Sequence, residues 1–390
     1  MVKKNLGLSS KPFMVIIIFI TMLFLQIYPI IIKAQSDKFK IEDKGNEVEI
    51  AYFKSGLEEF RVVINKNGGI SQVLIHQIPY LGPCGIRIAA DIVEHQTTYS
   101  DVVEPPVIRE SDDGSYVEAR FYGKYRDIEV YFKTNYTISK TGLILVSLLT
   151  EAKRDELSIT QTTWSTHYPV NIFKNEKIRI GLDSEIKEYV LPENVASGAI
   201  FNTQAPVYWI DLSKGAEGIT LINMAPGSDI FYETTVSDQR QYGRGDFYGA
   251  FFIHHASGQG AMPRGTKRLS KVALYLHGPG GYEGNREVID LVSALARVRV
   301  QCEKAMSKYE KDSEAWNLAL QAMSKIDSGI EKLIKGDLSS SKTELESARN
   351  LLSSIKEAEI GIPLSIIGLV IVIVIILIVL ISRRFKKSQK

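Results

Sequence analysis

The chain has 390 residues, and its 47 lysines and arginines nearly balance its 45 aspartates and glutamates. The first 34 residues contain four lysines and the last eight contain five basic residues, and neither end contains an acidic residue. Subtracting these nine positive charges from the net charge of +2 leaves about −7 for the residues between the two ends. This mildly acidic body does not favour a nucleic-acid partner, which requires a basic face, and two cysteines exclude a disulfide-dense scaffold or a cysteine-rich metal site.

The first predicted element is a signal peptide at residues 1–34. The chain starts with Met1-Val2-Lys3-Lys4, continues with an apolar run from Phe13 to Ile32, and reaches the small residue Ala34 at a plausible cleavage site. This order of a basic start, an apolar middle and a small residue is typical of secretory signals. The apolar run is long, so an uncleaved membrane anchor is the alternative interpretation.

Residues 35–280 are predicted to form a large antiparallel β-sandwich or a pair of them. Apolar and polar residues alternate at Val48, Ile50 and Tyr52, which indicates a half-buried strand, and Asn67-Gly68 predicts a hairpin turn. Further strands are predicted at residues 60–64, 70–75, 116–122, 128–132, 143–149, 207–212, 218–223, 249–254 and 269–277. Long helical periodicity is absent from this region.

Residues 285–358 are predicted to form a helical hairpin or short bundle that acts as a stalk, because their apolar residues recur at helical spacing. Asn285 is a good N-cap for the first helix, and a second helix is expected to start near Ser313. Gly336 can end the second helix, and Asp337 can cap the third. A tetratricopeptide-type module is the alternative, although no repeat of about 34 residues is visible.

Residues 360–382 are predicted to cross a membrane as a single helix. The stretch from Ile360 to Ile381 contains no charged residue, and at ~1.5 Å per residue it is long enough for a hydrocarbon core of ~30 Å. The basic residues 383–390 follow at once, and the positive-inside rule makes them a cytoplasmic tail. The sequence thus predicts a single-pass plasma-membrane protein with its N-terminal ectodomain outside and with the lipid bilayer contacted through residues 360–382. A buried helix of a soluble protein is the alternative.

An extracellular location would allow two modifications of the chain, a glycan and a disulfide. Asn135-Tyr136-Thr137 is a glycosylation sequon, so Asn135 is predicted to carry a glycan. Cys84 and Cys302 could pair as a disulfide in an oxidising compartment. Two separate buried thiols are the alternative.

Three segments of the β region resemble known carbohydrate-related domains. Residues 47–70, with a strand that ends in Asn67-Gly68-Gly69, resemble the opening hairpin of galactose mutarotase-like supersandwich domains. Residues 208–223 and 245–255 are similar to strands in the C-terminal β domain of family 38 α-mannosidases. The resemblance covers roughly residues 38–280 and implies a β-supersandwich without a catalytic domain, because nothing supplies the zinc ligands of such mannosidases. A resemblance of fold does not transfer an activity.

Sugar recognition requires flat aromatic faces together with planar acids or amides. Residues 231–248 supply both, and the part from Gln239 onward is predicted to be a loop whose glycines permit a tight path. The ligand-binding candidates are Tyr232, Arg240, Tyr242, Arg244, Asp246 and Tyr248, and no cofactor is predicted. The alternative is an exposed loop whose aromatic residues pack beneath it.

The catalytic candidates, for an enzymatic alternative, are His167, His255 and Glu233. His167 lies in a segment loosely like the histidine segment of the epimerases and would suit a general acid. His254 and His255 are neighbours on a predicted strand, so they point to opposite faces and cannot bind one metal ion together. Glu233 and Asp246 could be the paired carboxylates of a glycosidase. A purely structural role is the alternative for each residue.

The sequence therefore predicts a cell-surface membrane protein whose β-sandwich ectodomain binds an envelope or extracellular glycan. One alternative is a membrane-anchored polysaccharide lyase, epimerase or glycosidase. The other alternative is a structural envelope assembly subunit, in which the helical stalk binds a protein partner or self-associates.

Overall fold

The computed structural model describes residues 37–90, 93–96, 100–126, 128–155, 159–226, 232–255 and 263–360. The predicted signal peptide, the basic tail and all but the first residue of the predicted membrane span lie outside these ranges. Within them, none of the helices combines the length and the hydropathy that a membrane span requires.

The chain divides into two compact units. Among the described residues, the β unit comprises those up to 223 together with 232–255 and 263–286, and the helical unit comprises 224–226 and 287–360. This division agrees with the mainly β fold, followed by helices, that the sequence predicts.

The β unit contains twenty described strands, and every strand pair among them is antiparallel. The strands are β1 (Lys38–Asp43), β2 (Glu47–Lys54), β3 (Leu57–Asn65), β4 (Ile70–Ile75), β5 (Ile78–Leu81), β6 (Gly85–Ala90), β7 (Val93–Gln96), β8 (Asp101–Glu110), β9 (Tyr116–Lys124), β10 (Val130–Ser139), β11 (Leu143–Ala152), β12 (Ile159–Pro169), β13 (Lys177–Gly181), β14 (Ile186–Val190), β15 (Ala199–Thr203), β16 (Trp209–Lys214), β17 (Glu217–Asn223), β18 (Tyr232–Asp238), β19 (Phe247–His255) and β20 (Lys267–His277). The segments predicted as strands all fall on members of this set.

The strands form three sheets that share one hydrophobic core. The first sheet is a meander of five strands in the order β1-β2-β3-β4-β5. The second has nine strands in the order β14-β13-β16-β17-β20-β11-β10-β9-β8, and the third has six in the order β15-β18-β19-β12-β6-β7. Each sheet contributes nearly inaccessible side chains to the core, for example Ile50, Phe132 and Phe252. The predicted large antiparallel sheets are therefore confirmed.

Alternation along each strand explains which side chains enter this core. In β12, Trp164 and Tyr168 join the core, whereas His167 between them points to the opposite side of the sheet. In β19, Tyr248 and Phe252 face inward in the same way. The six-stranded sheet thus has one face in the core and a second face that does not contribute to it.

Asp211 on β16 lies at the centre of a buried polar network in the nine-stranded sheet. Its Oδ1 accepts hydrogen bonds from Thr220 Oγ1 and His277 Nε2, each at 2.8 Å. Its Oδ2 accepts a hydrogen bond from Ser213 Oγ at 2.8 Å and lies 3.6 Å from Arg179 Nη1. Asp211, Thr220 and His277 are all buried. The network joins side chains of four neighbouring strands through one carboxylate.

The helices are α1 (Val170–Phe173), α2 (Gly281–Lys308), α3 (Glu314–Ile334) and α4 (Leu338–Ile360), and a 3-10 helix spans Gln239–Tyr242. The prediction that Asn285 caps α2 is wrong, because the helix starts four residues earlier. Asn285 instead donates from Nδ2 to the carbonyl of Gly281 at 2.8 Å and accepts a hydrogen bond from Tyr275 Oη at 3.0 Å. Its side chain therefore ties the first turn of α2 to β20.

The other predicted helix ends are confirmed. Ser313 Oγ accepts a hydrogen bond from the Trp316 amide at 3.2 Å, and Asp337 Oδ1 accepts one from the Ser340 amide at 3.0 Å. Gly336 has a φ of +87°, a conformation that ends helices because glycine adopts it without a steric penalty.

Three ion pairs connect the helices of the helical unit. Arg299 on α2 pairs with Asp327 on α3. Lys342 on α4 pairs with Glu287 on α2. Lys325 on α3 pairs with Glu344 on α4 at 3.1 Å. The helices thus contact one another as a short bundle, one of the two arrangements that the sequence predicts.

The two cysteines are separate buried thiols. Cys84 and Cys302 are both free, which is the alternative to the disulfide considered from the sequence. Burial raises the pKa of both thiols, and it raises that of Cys302 to about 11. Thiols of this kind are unreactive because the thiolate is the nucleophile.

Candidate functional site

The face of the six-stranded sheet that points away from the core is lined mainly with polar residues. We call it the polar face. By strand alternation and register it comprises Thr163, Ser165 and His167 of β12, Glu233, Thr235 and Ser237 of β18, Gly249, Phe251 and Ile253 of β19, and Asn202 of β15. Thr163, Ser165, His167 and Ser237 are buried even though they lie outside the core. A buried polar surface of this kind requires hydrogen-bond partners.

His167 is held at one end of the polar face. Its Nδ1 lies 2.5 Å from the carbonyl oxygen of Pro83. A carbonyl oxygen only accepts, so Nδ1 carries the proton, and in the neutral ring Nε2 is the acceptor. The rings of Phe247 and Phe251 meet the imidazole edge-on at centroid distances of 5.8 and 6.1 Å. The ring is thereby fixed in orientation.

Gly249 makes room for two side chains in the middle of the polar face. A Cβ at this position would lie 2.5 Å from Phe251 Cζ and 2.9 Å from Gln239 Nε2. The Phe251 ring and the Gln239 amide therefore occupy the space that any other residue would fill. Gln239 is buried, and its Nε2 donates to Ser237 Oγ at 2.7 Å.

Two buried polar atoms of this region have no hydrogen-bond partner within the part of the chain that the structure describes. They are Thr163 Oγ1 and Gln239 Oε1. Leaving such an atom unsatisfied costs about 1–3 kcal/mol. Both atoms are inaccessible to solvent, so they are a cost within the fold rather than points of ligand contact.

Glu233, Thr235 and Asn202 supply a carboxylate, a hydroxyl and an amide side by side. Thr235 Oγ1 lies 3.4 Å from Glu233 Oε1 and 3.4 Å from Asn202 Oδ1. Hydrogen bonds of this length are weak. Thr235 is the cross-strand neighbour of Phe251, so the polar groups flank an aromatic ring.

Arg240 and Tyr248, both predicted to bind ligand, instead hold a neighbouring loop. Arg240 donates to both carboxylate oxygens of buried Asp238, from Nε at 2.9 Å and from Nη2 at 2.7 Å, and also to the carbonyls of residues 192–194. Tyr248 Oη donates to the carbonyl of Pro192 at 2.5 Å, and burial raises the pKa of Tyr248 to about 12. These contacts assign both residues to the framework beneath the site.

Asp238 keeps its charge despite its burial. Burial by itself would raise the pKa of Asp238, but the Arg240 side chain and the amides of Ala196 and Arg240 donate hydrogen bonds to the carboxylate. The pKa of Asp238 therefore lies below its ordinary value.

The remaining loop residues lie at the surface beside the His167 end of the polar face. Tyr242 is 57% exposed, and the Arg244 guanidinium lies 5.9 Å from its ring centroid. Asp246 is exposed, and its carbonyl accepts a hydrogen bond from the Val170 amide at 3.0 Å. The loop is adjacent to His167 because it leads directly into Phe247, which contacts the imidazole. Tyr232 lies on β18, and its side chain is outside the described residues.

The structure separates most of the residues considered for catalysis. From strand spacing and register, His167 and Glu233 are roughly 16 Å apart. Glu233 is roughly 20 Å from Phe247, the residue after Asp246, whereas paired glycosidase carboxylates lie ~5–9.5 Å apart. Position 255 is a diagonal neighbour of Glu233, about 7–8 Å away between Cα atoms, but the side chain of His255 is outside the described residues. The described side chains form no acid–base pair among these candidates.

Sequence reasoning missed most of the polar face. Thr163, Ser165, Phe251, Gln239 and Asn202 were not among the candidates. The run Thr162-Thr163-Trp164-Ser165-Thr166-His167 does carry a signal, because polar residues occupy every position around one tryptophan. Such a run is typical of a strand with a polar outer face.

No known protein family matches the chain, and no curated protein matches it. Similar solved structures include a galactose 1-epimerase from Lactobacillus acidophilus, at 9% identity and a TM-score of 0.38, where the match covers 63% of this chain and 100% of that one. An α-mannosidase from Enterococcus faecalis matches at 11% identity and a TM-score of 0.43, over 67% of this chain and 32% of that one. A TPR-domain containing protein from Parabacteroides distasonis matches at 9% identity and a TM-score of 0.36, over 79% of this chain and 71% of that one. An epimerase and an α-mannosidase are thus among the solved structures to which the chain is similar.

Proposed function

We propose that this protein binds carbohydrate on the polar face of its six-stranded sheet. The observation that carries the proposal is an accessible cluster on this face, in which the Glu233 carboxylate, the Thr235 hydroxyl and the Asn202 amide lie beside the half-buried ring of Phe251. A ligand rich in hydroxyl groups can both donate hydrogen bonds to such groups and accept them.

Different residues of the polar face contact different parts of the sugar. The Phe251 ring offers an apolar surface to sugar C–H groups, while Glu233 and Asn202 on the neighbouring strands bind hydroxyl groups. The three cross-strand rows extend over roughly 14 Å, which is longer than one sugar ring, so the expected ligand is an oligosaccharide segment.

We also propose that the protein is a single-pass protein of the plasma membrane. The support is the uncharged stretch at residues 360–382, the basic residues 383–390 after it, and the signal-like residues 1–34. In this arrangement residues 35–280 form the ectodomain, and residues 285–358 hold it away from the bilayer. Protease added to intact cells should then cleave the ectodomain, and protection of it would contradict this location.

A glycan array probed with the full-length chain in detergent tests the binding proposal. Glu233→Gln keeps the shape of the side chain but removes a charged acceptor, so the affinity for bound glycans should fall about tenfold. Phe251→Ala should lower it further because the apolar platform is lost. Tyr242→Ala tests whether the ligand continues past His167 onto the loop.

Glu151→Gln is the matched control, because it makes the same change on the outer face of the nine-stranded sheet, away from the polar face. It should leave glycan binding unchanged. An array without bound glycans, or equal losses in the Glu233 and Glu151 variants, would overturn the proposal. Conversion of a bound glycan to product, lost in His167→Ala, would instead favour the enzymatic alternative.

A further inference from the structure

The outer face of the nine-stranded sheet carries a groove of ≈540 Å³ close to its β8 edge. Its floor consists of three cross-strand rows on β10, β9 and β8. The rows are Lys133, Tyr122 and Glu104, then Asn135, Arg120 and Val107, then Thr137 and Glu118. Asn135 thus lies in the middle row, on the side of the groove farther from the β8 edge.

The β8 edge is irregular and exposes apolar side chains. Between Val102 and Glu104, and again between Glu104 and Val107, β8 contains one residue more than the paired stretch of β9. These bulges disrupt the ladder and bend the strand. Val102, Val103 and Val107 are 48%, 39% and 48% exposed. In the described sheet β8 pairs only with β9, so these valines lie on an open edge.

Open apolar edges promote pairing with other chains, and proteins normally protect them. Pro105 and Pro106 protect the middle of β8 because they lack amide hydrogens. The valines on either side of the prolines have no such protection. A further cover is therefore expected at this edge.

The sequon Asn135-Tyr136-Thr137 lies beside that edge and faces solvent. Asn135 is exposed, and Thr137 lines the same groove two residues later. Tyr136 between them is buried, and its Oη donates to the Gly68 carbonyl at 2.6 Å. The asparagine amide is thus presented outward on a firmly anchored strand.

We propose that Asn135 carries an N-linked glycan whose first sugars lie in this groove and cover the β8 edge. The distance from Asn135 to Val107 is two strand spacings, about 10 Å, which the first few sugars of a glycan can span. Along this path Glu118 and Glu104 accept sugar hydroxyls, and Pro105 and Val107 contact the C–H faces. The inference rests on the proposed location outside the cell but not on binding at the polar face, which belongs to another sheet.

The modification requires a glycosyl donor, namely an oligosaccharide linked to a lipid phosphate. A bond forms between Asn135 Nδ2 and the anomeric carbon of the first sugar. The bond from that carbon to the phosphate oxygen breaks, the amide nitrogen loses one proton, and the lipid phosphate leaves.

Glycopeptide mass spectrometry of the full chain, expressed with its signal in a secretory host that performs N-glycosylation, tests the attachment. Thr137→Ser preserves the sequon and should retain the added mass. Thr137→Val keeps a β-branched side chain on the strand but destroys the sequon, and it should lose the added mass. An unmodified Asn135 in chains that protease reaches from outside the cell would overturn the inference. Chains that protease cannot reach would overturn the location, and this inference with it.

Sedimentation velocity in detergent tests the cover. The Thr137→Val chain should self-associate at concentrations at least fivefold lower than the Thr137→Ser chain. Adding Val103→Lys to Thr137→Val should restore the monomer, because a charged edge resists pairing. Equal association of the two Thr137 variants would overturn the covering role. Glycan-array binding should be the same for both variants, so a failure here is distinct from a failure of the proposed function.

Discussion

Replacing Asp211 by alanine is expected to destabilise the β unit by about 3–5 kcal/mol, the range for breaking a buried charged pair by removing one partner. The carboxylate accepts hydrogen bonds from Thr220, Ser213 and His277, each at 2.8 Å. Thr220 and His277 are fully buried, so water cannot replace the lost acceptor. Two donors left without an acceptor, at about 1–3 kcal/mol each, cost about 2–6 kcal/mol, which brackets that range.

Asp211→Asn should be milder, at about 1–2 kcal/mol, because its amide oxygen still accepts from buried donors. Its amide hydrogens would, however, face Ser213 and Arg179. The serine hydroxyl can turn to accept a hydrogen bond, but the guanidinium cannot. The expected order of stability is therefore wild type, then asparagine, then alanine.

Native-state hydrogen exchange on the full-length chain measures the effect in the β unit alone. Peptides from β16 and β17 report the opening of the strands that carry the network. A loss of about 3–5 kcal/mol accelerates exchange of their slowest amides by roughly two to three and a half orders of magnitude. Glu118→Ala is the control, because its ion pair with Arg120 is exposed and worth about 0.2–1 kcal/mol.

The reasoning fails if Asp211→Ala and Glu118→Ala accelerate exchange by the same factor. That result would mean that the donors around Asp211 find other partners when the carboxylate is removed. An asparagine variant less stable than the alanine variant would show instead that the guanidinium–amide clash dominates.

Three further outcomes are expected. The pKa of Asp238 is lowered in the folded state, so its charge stabilises the fold above the ordinary pKa of about 3.9. This stabilisation is lost as pH falls through the lowered pKa. The Tm gap between wild type and Asp238→Asn should therefore shrink below about pH 4. Gly249→Ala should displace Phe251, cost about 1–3 kcal/mol by overpacking, and weaken glycan binding. Cys84 and Cys302 should resist alkylation in the folded chain, and both should react after unfolding without reductant.

Each of these outcomes has a clear contrary result. A Tm gap that does not change with pH would show that the Asp238 charge is not the stabilising element. Unchanged glycan binding by Gly249→Ala would show that the position of the Phe251 ring does not matter for glycan binding. Failure to alkylate both thiols in unfolded, unreduced protein would indicate a disulfide.

Local sequence patterns determined the secondary structure of much of this protein. Strands β2, β3 and β4 were predictable because alternation reports which side of a strand is buried, and that information lies within each segment. Ser313, Gly336 and Asp337 were predictable because caps depend on a few neighbouring residues. Asn285 was misplaced because its side chain bonds to Tyr275 on a strand, a contact that no helix rule contains.

The loop that precedes β19 was predictable in part. Tyr242, Arg244 and Asp246 lie at the surface, where a loop rich in glycine was expected to place them. Arg240 and Tyr248 could not be distinguished from them, since their partners, Asp238 and the carbonyls of residues 192–194, are fixed by folding of a separate segment.

Only the tertiary structure decided which strands became neighbours. Pairing of β12 with β19 and of β19 with β18 brings His167, Phe251 and Glu233 onto one face, and the same register sets Glu233 and Asp246 too far apart to act together. The alternation of apolar and polar residues determines which side of each strand is buried. It does not determine which strand pairs with it. Partner and register follow from packing all three sheets around one core, and that packing created the polar face.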